Sequence, residues 1–244
     1  MLVYQMIVAE RSHMADLFDS LTEEQLSQQS LCDAWTMHDL AAHLATYLRC
    51  GKVKIIACVI AGAGDFGPGN QKLAQWYARH STADLAESIR RNAGSRTTAP
   101  RSGYDPVLTD LVLHDLDVRI PLGITRDIPQ DRLAVAFYHL ATAPSPGYPF
   151  GTRLRELRFE TTDTGWTIGT GRVVRGPAQA VIMAMSGRTS AWDDLAGDGV
   201  ELLRHRASHE TATPVPDRLK LAATTLLRSS ARRSREVGPP KLVQ

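Results

Sequence analysis

A chain of 244 residues with 43% hydrophobic and 22% charged residues has the composition of an ordinary globular protein, long enough for one large domain or two modest ones. Its formal net charge of +2 offers no electrostatic ground for nucleic-acid binding. The best apolar run, Val53 to Ala63, is about half the length that a bilayer requires.

The opening MLVYQMIVAERSHMADLF has no basic leader, and Glu10, Arg11 and Asp16 interrupt its apolar residues, so a signal peptide is not expected and the cytoplasm is. Val3, Met6, Ile7, Met14, Leu17 and Phe18 recur at helical spacing and predict a helix over 2–20. Thr22 caps a short turn carrying Glu23, Glu24 and Gln25. Thr36, with Asp39 three residues on, is close to a capping box and opens a helix to about Leu48, with a resumption over Val53–Ile60. Cys32, Cys50 and Cys58 are scattered and form no Cys-x-x-Cys, so they read as free thiols, buried or half-buried.

AGAGDFGPGN is a glycine-rich breaker. Its Gly62-x-Gly64-x-x-Gly67 formally matches a dinucleotide fingerprint, but it comes after a helical segment rather than a strand, and Pro68 interrupts the stretch where a helix would have to open, so it reads as a loop. Residues 70–80 and 82–93 read as further helices, the second capped by Ser81. In DPVLTDLVLHDLDVRIPLG, Leu108, Leu111, Val112 and Val118 form an apolar stripe, and Pro121 and Gly123 end the helix. Residues 1–125 are therefore expected to be a bundle of about four principal helices.

The pattern then changes. An amphipathic helix over 129–142 and a Pro- and Gly-rich loop lead to alternating residues: Leu154, Leu157 and Phe159, then Trp166 and Ile168, then Val173. Turns are expected at Asp163-Thr164-Gly165 and near Gly169–Gly171. Gly176-Pro177 opens a helix to about Met185, a helical segment covers 189–195, and Val200–Leu203 reads as a short edge strand. Residues 126–206 are thus α+β, and the whole chain is α followed by α+β. Residues 207–244 are basic, poor in aromatics and read as a partly disordered tail.

Asp110 and His114 are four apart on a helix, so their side chains share one face. Alone, such a pair is more often an ordinary surface pair. The same helix has a core face, however, and His43 sits in AAHLA on another helix that must pack inward. Together His43, Asp110 and His114 offer two imidazole nitrogens and one carboxylate, a set that leaves a coordination position free on a zinc ion. His38 is five residues from His43 and points elsewhere, and His13, His80, His139, His205 and His209 lack partners at ligand spacing. Asp39, Asp115 and Asp117 are candidates to hold an imidazole N–H, with capping and surface roles expected for Asp39 and Asp115. No Gly-x-Ser-x-Gly elbow, His-Glu-x-x-His or P-loop occurs.

At these residues the sequence resembles the mycothiol-dependent maleylpyruvate isomerase family, a branch of the DinB-like metal-binding bundles. The resemblance lies in Glu10-Arg11, Ser30-x-Cys32, Trp35-Thr36 and His43-Leu44, then HDLDVRIPLG, then TTDTGWTIGTG, RGPAQA, SGR and LAGDGV. It implies a DinB-like four-helix bundle followed by a small, sterol-carrier-like α+β domain. It also implies a divalent metal, usually zinc, on His43, Asp110 and His114, with Asp110 where the family commonly has Glu. Mycothiol is the implied thiol cosubstrate, and its thiolate would add to a small electrophile, giving isomerisation or S-transfer. An arginine could orient a substrate carboxylate by a bidentate contact, with Arg188 in SGR the candidate and Arg119 the alternative.

Two further readings stay open. One is a non-catalytic metal- and ligand-binding module. The other is nucleic-acid association through residues 218–235, which the near-neutral charge and lack of interleaved aromatics disfavour.

Overall fold

A computed structural model describes residues 2–32, 35–49, 74, 77–98, 103–142 and 154–209. The expected helix over 53–60, the Gly62–Gly67 loop, Cys50, Cys58 and the tail from residue 210 lie outside these residues.

The bundle consists of α1 (Val3–Ser20), the short α2 (Glu23–Ser27), α3 (Met37–Arg49), α4 (Thr82–Arg91) and α5 (Asp105–Leu122). α1 packs on α4 and α5, and α3 packs on α4. Three of these helices, α2, α3 and α4, start at a side-chain cap. The Thr22 hydroxyl accepts from the Gln25 N–H (3.2 Å), while the Gln25 amide oxygen accepts from the Thr22 N–H (3.0 Å). Thr36 and Asp39 exchange the same pair of bonds at 3.1 and 3.0 Å, so the shorter acid completes the box. Ser81 accepts from the Asp84 N–H.

α5 is the central helix. The apolar stripe expected of it extends to a full cylinder: every residue from Leu108 to Arg119 except Asp110 is buried. Gly123 stops it in the left-handed region (φ 64°), where a side chain would be strained. Pro121 lies within its last turn. Proline has no N–H to offer the carbonyl four residues back, and that carbonyl, of Asp117, instead accepts from the Leu31 N–H at 3.1 Å. The loop between α2 and α3 is thereby tied to α5.

The second half opens with α6 (Gln130–Thr142), which packs on α5. The strands β1 (Leu157–Thr161), β2 (Thr167–Gly169) and β3 (Arg172–Gly176) form a sheet of order β2-β1-β3. Phe159 pairs antiparallel with Ile168 on one side and parallel with Val174 on the other. α7 (Ala178–Met185) is buried along nearly its whole length and packs on α6 and the sheet. The helical segment expected over 189–195 is a single 3-10 turn, Trp192–Asp194. The edge strand expected over Val200–Leu203 is instead part of α8 (Gly199–His209). Gly199 and Leu203 are buried while Glu201 and His205 are exposed, a spacing of four that a short apolar run conceals. The apolar core runs continuously from Met6 to Leu203. None of the described helices is long and apolar enough to cross a membrane.

A buried ionic network links α1, α5 and α6. Glu10, 1% exposed, pairs with Arg126 (2.8 and 2.9 Å) and with Arg132 (2.5 Å). Asp115, expected at the surface, has no exposed area and pairs with Arg119 (2.6 Å), His13 (3.1 Å) and Arg126 (3.3 Å). Burial opposes its charge, but hydrogen bonds from His13 and Arg119, with Arg126 beyond, hold its pKa below the ordinary carboxylate value. Asp115→Ala leaves these cations without their acceptor and is expected to destabilise the fold by about 3–5 kcal/mol at pH 7. Because the folded pKa is the lower one, Asp115's contribution is in place above about pH 4 and is lost as pH falls through the folded value. Urea unfolding of parent and variant should therefore show a gap that narrows in acid, and equal stability at neutral pH would refute it.

Candidate metal centre

His43 lies on α3 among Leu40, Ala41, Ala42, Leu44 and Ala45, all buried, and is itself 4% exposed. Asp110 and His114 project from one face of α5, with Asp110 Oδ1 3.4 Å from His114 Nε2. The His43 and His114 rings meet edge to face with centroids 5.1 Å apart. One potential ligand atom from each of His43, Asp110 and His114 lies within 4.8 Å of the others. The donor set of two imidazole nitrogens and a carboxylate suits a divalent transition metal. The aspartate, though shorter than glutamate, already reaches the histidine. The Asp110 side chain is 37% exposed, which makes it the open side of the group, where an exogenous ligand could enter.

The other nitrogen of His114 has its own surroundings. Nδ1 lies 2.9 Å from Asp117 Oδ2 and 3.7 Å from Cys32 Sγ. The Cys32 thiol donates to the same carboxylate oxygen at 3.1 Å. Arg188 closes on Asp117 with both prongs, Nε to Oδ1 and Nη2 to Oδ2, each at 2.6 Å, while Nη1 donates to Ser186 Oγ at 3.0 Å. Cys32, His114 and Asp117 thus also bring ligand-type atoms within 4.8 Å of one another. The guanidinium already supplies a positive charge to both Asp117 oxygens, so this second trio is read as the layer behind His114.

A tight turn carries the wall above the site. Gln29 Nε2 donates to the carbonyls of Cys32 (2.8 Å) and Trp35 (2.7 Å), and Ser30 Oγ donates to the Trp35 carbonyl at 2.8 Å. This places Trp35 over His43, ring centroids 4.5 Å apart, and the half-buried Cys32 beside Asp117.

Burial, reinforced by His114, pushes the His43 pKa down to about 3 and keeps it neutral. For His114 burial acts the same way, but Asp110, Asp117 and Cys32 outweigh it and raise its pKa well above the ordinary value. Burial opposes ionisation of Asp117 as well, yet Arg188 and His114 hold it well below the usual carboxylate range.

Of the sequence-derived candidates, His43, Asp110 and His114 come together, and Arg188 lies one carboxylate behind them. Arg119 lies elsewhere: it is buried and bonds to Asp115 and to the Ile124 carbonyl. His38 bonds to Thr82 and the Ala78 carbonyl, His13 pairs with Asp115, and Asp39 caps α3. The sequence marks Cys32 as a free thiol and as part of the family resemblance, without a role at the site. The signal that finds its neighbour is the spacing of His114 and Asp117, three apart on one helix face.

Residues 7–119 match the family model described as the mycothiol maleylpyruvate isomerase N-terminal domain. Among solved structures, the chain is similar to the crystal structure of the mycothiol-dependent maleylpyruvate isomerase, with a TM-score of 0.54 and 13% identity over 88% of this chain and 95% of that one. It is equally similar to a mutant of that enzyme with one histidine changed to alanine, with a TM-score of 0.54 and 12% identity over the same shares. At such identity the likeness establishes the fold, a helical bundle continued by a small mixed sheet with helices. No curated protein matches the sequence.

With His43 neutral and His114 raised, the metal-free group carries a proton that a cation must displace. Zinc added to weakly buffered apoprotein at pH 7 should release protons, and its apparent affinity should rise with pH up to the His114 pKa. An affinity that stays constant from about pH 6 to 8 would count against this ligand set.

Proposed function

We propose, from the premise that residues 7–119 belong to the mycothiol maleylpyruvate isomerase N-terminal domain family, that this chain is a divalent-metal- and mycothiol-dependent isomerase or S-transferase acting on a small electrophile in the cytoplasm. The observation that carries the reading is the convergence of His43, Asp110 and His114 from two helices, open to solvent on the Asp110 side. These residues would hold the ion, zinc in the first instance. Such an ion supplies a Lewis acid that keeps a thiol sulfur as thiolate at neutral pH.

The chain's own residues do the rest. His43 stays neutral and keeps a nitrogen lone pair available. Asp110 places a negative charge on the open side. Trp35 covers His43 and shields it from water. The thiol adds through sulfur to one end of the substrate's activated double bond. Rotation about the resulting single bond and expulsion of the same thiol gives isomerisation, whereas release of the adduct gives S-transfer. Arg188 is the candidate to orient a substrate carboxylate.

A second reading, a metal-binding module without turnover, draws on one observation: the Arg188 fork already rests on both oxygens of Asp117.

The test is the metal content, by elemental analysis, of parent and His114→Ala protein purified without added metal. About one ion per chain in the parent and a marked loss in the variant are expected. Turnover of a cis-alkene carboxylate with mycothiol, abolished by chelation, would then establish the enzyme. A loaded parent inert toward thiols and electrophiles would favour the module, and a parent that takes up no metal after reconstitution would defeat both.

A further inference from the structure

We propose that Asp117 is the positioning residue of this centre: its single carboxylate orients His114 and binds to it both the loop that carries Cys32 and the segment that carries Arg188. The inference rests on the metal reading above and deepens it.

Asp117 has no exposed area, and it faces the opposite nitrogen of His114 from Asp110, so it touches neither solvent nor the open side. Four donors from three parts of the chain end on its carboxylate. His114 Nδ1 comes from its own helix at 2.9 Å. The Cys32 thiol approaches at 3.1 Å, and the neighbouring Leu31 N–H takes the Asp117 carbonyl at 3.1 Å. Arg188 arrives from beyond α7 with its two prongs at 2.6 Å. A group surrounded in this way only accepts, so Nδ1 of His114 is the donor and Nε2 is the nitrogen that faces Asp110 and would offer its lone pair to an ion.

The arrangement requires a carboxylate. An asparagine amide offers one oxygen and one NH2. In one orientation the NH2 faces Arg188; in the other it faces His114 and Cys32. Either way donors meet donors, and the ring loses its fixed orientation or the guanidinium loses its charge partner.

The experiment compares parent, His114→Ala, Asp117→Asn and Arg188→Gln. Zinc affinity is read by competition with a chromophoric chelator, the visible bands of the cobalt-loaded proteins report the ligand field, and circular dichroism reports the fold. Asp117→Asn is expected to bind zinc about 10- to 100-fold more weakly and to shift the cobalt bands. Arg188→Gln should move both readouts in the same direction by less. A folded Asp117→Asn with parental affinity and spectrum overturns the proposal. Should that variant fail to fold, parental values in Arg188→Gln overturn it instead. A parent that binds no metal sinks the metal reading itself, whereas a normally loaded parent beside an unaffected Asp117→Asn sinks only this inference.

Discussion

An ionised carboxylate without exposed surface survives in a protein interior only where donors replace its lost water. Asp117 meets that condition with His114, Cys32 and Arg188 around its side chain and Leu31 on its carbonyl. The loop before α3, the central helix and the end of α7 must all be in place for the charge to be satisfied. The candidate metal ligands stand immediately in front of this point, so the precision of the site depends on it.

α5 serves two buried charge systems at once. Asp110, His114 and Asp117 share a face at spacings of four and three, while Asp115 and Arg119 share another. Adjacent turns of one helix thus hold the site on one side and the clamp to α1 and α6 on the other. Helical periodicity makes this possible, since residues two apart point roughly 200° away from each other. Pro121 contributes by what it lacks: without its N–H the last turn leaves a carbonyl free to capture the loop bearing Cys32.

Beyond α6, the α+β half reaches the candidate site through the end of α7. Gly187 adopts φ 84°, a conformation that side chains resist, and the Arg188 N–H returns to the Met183 carbonyl at 3.0 Å. This turn aims the Arg188 side chain back at Asp117. The sheet supports α7 from behind, with α8 packed on β3, so the small sheet matters to the site through one arginine.

The sequence by itself determined the described helices of the bundle, the caps at Thr22, Thr36 and Ser81, the strand pattern after residue 154 and the placing of Asp110 and His114 on one helix face, because periodicity, capping boxes and proline or glycine stops are local properties. It also marked His43 as an imidazole among buried residues. It did not reveal that Asp115 is buried, since a charge on a helix is read as solvated until its partners, here Arg126 and His13, are known to surround it. It misread Val200–Leu203 as a strand, because four residues do not distinguish a period of two from one of 3.6. Cys32, Asp117 and Arg188 lie 85 and 71 residues apart along the chain, and no local pattern joins them. Only tertiary packing decided that they meet, because a buried charge selects its partners by proximity in space and not in sequence.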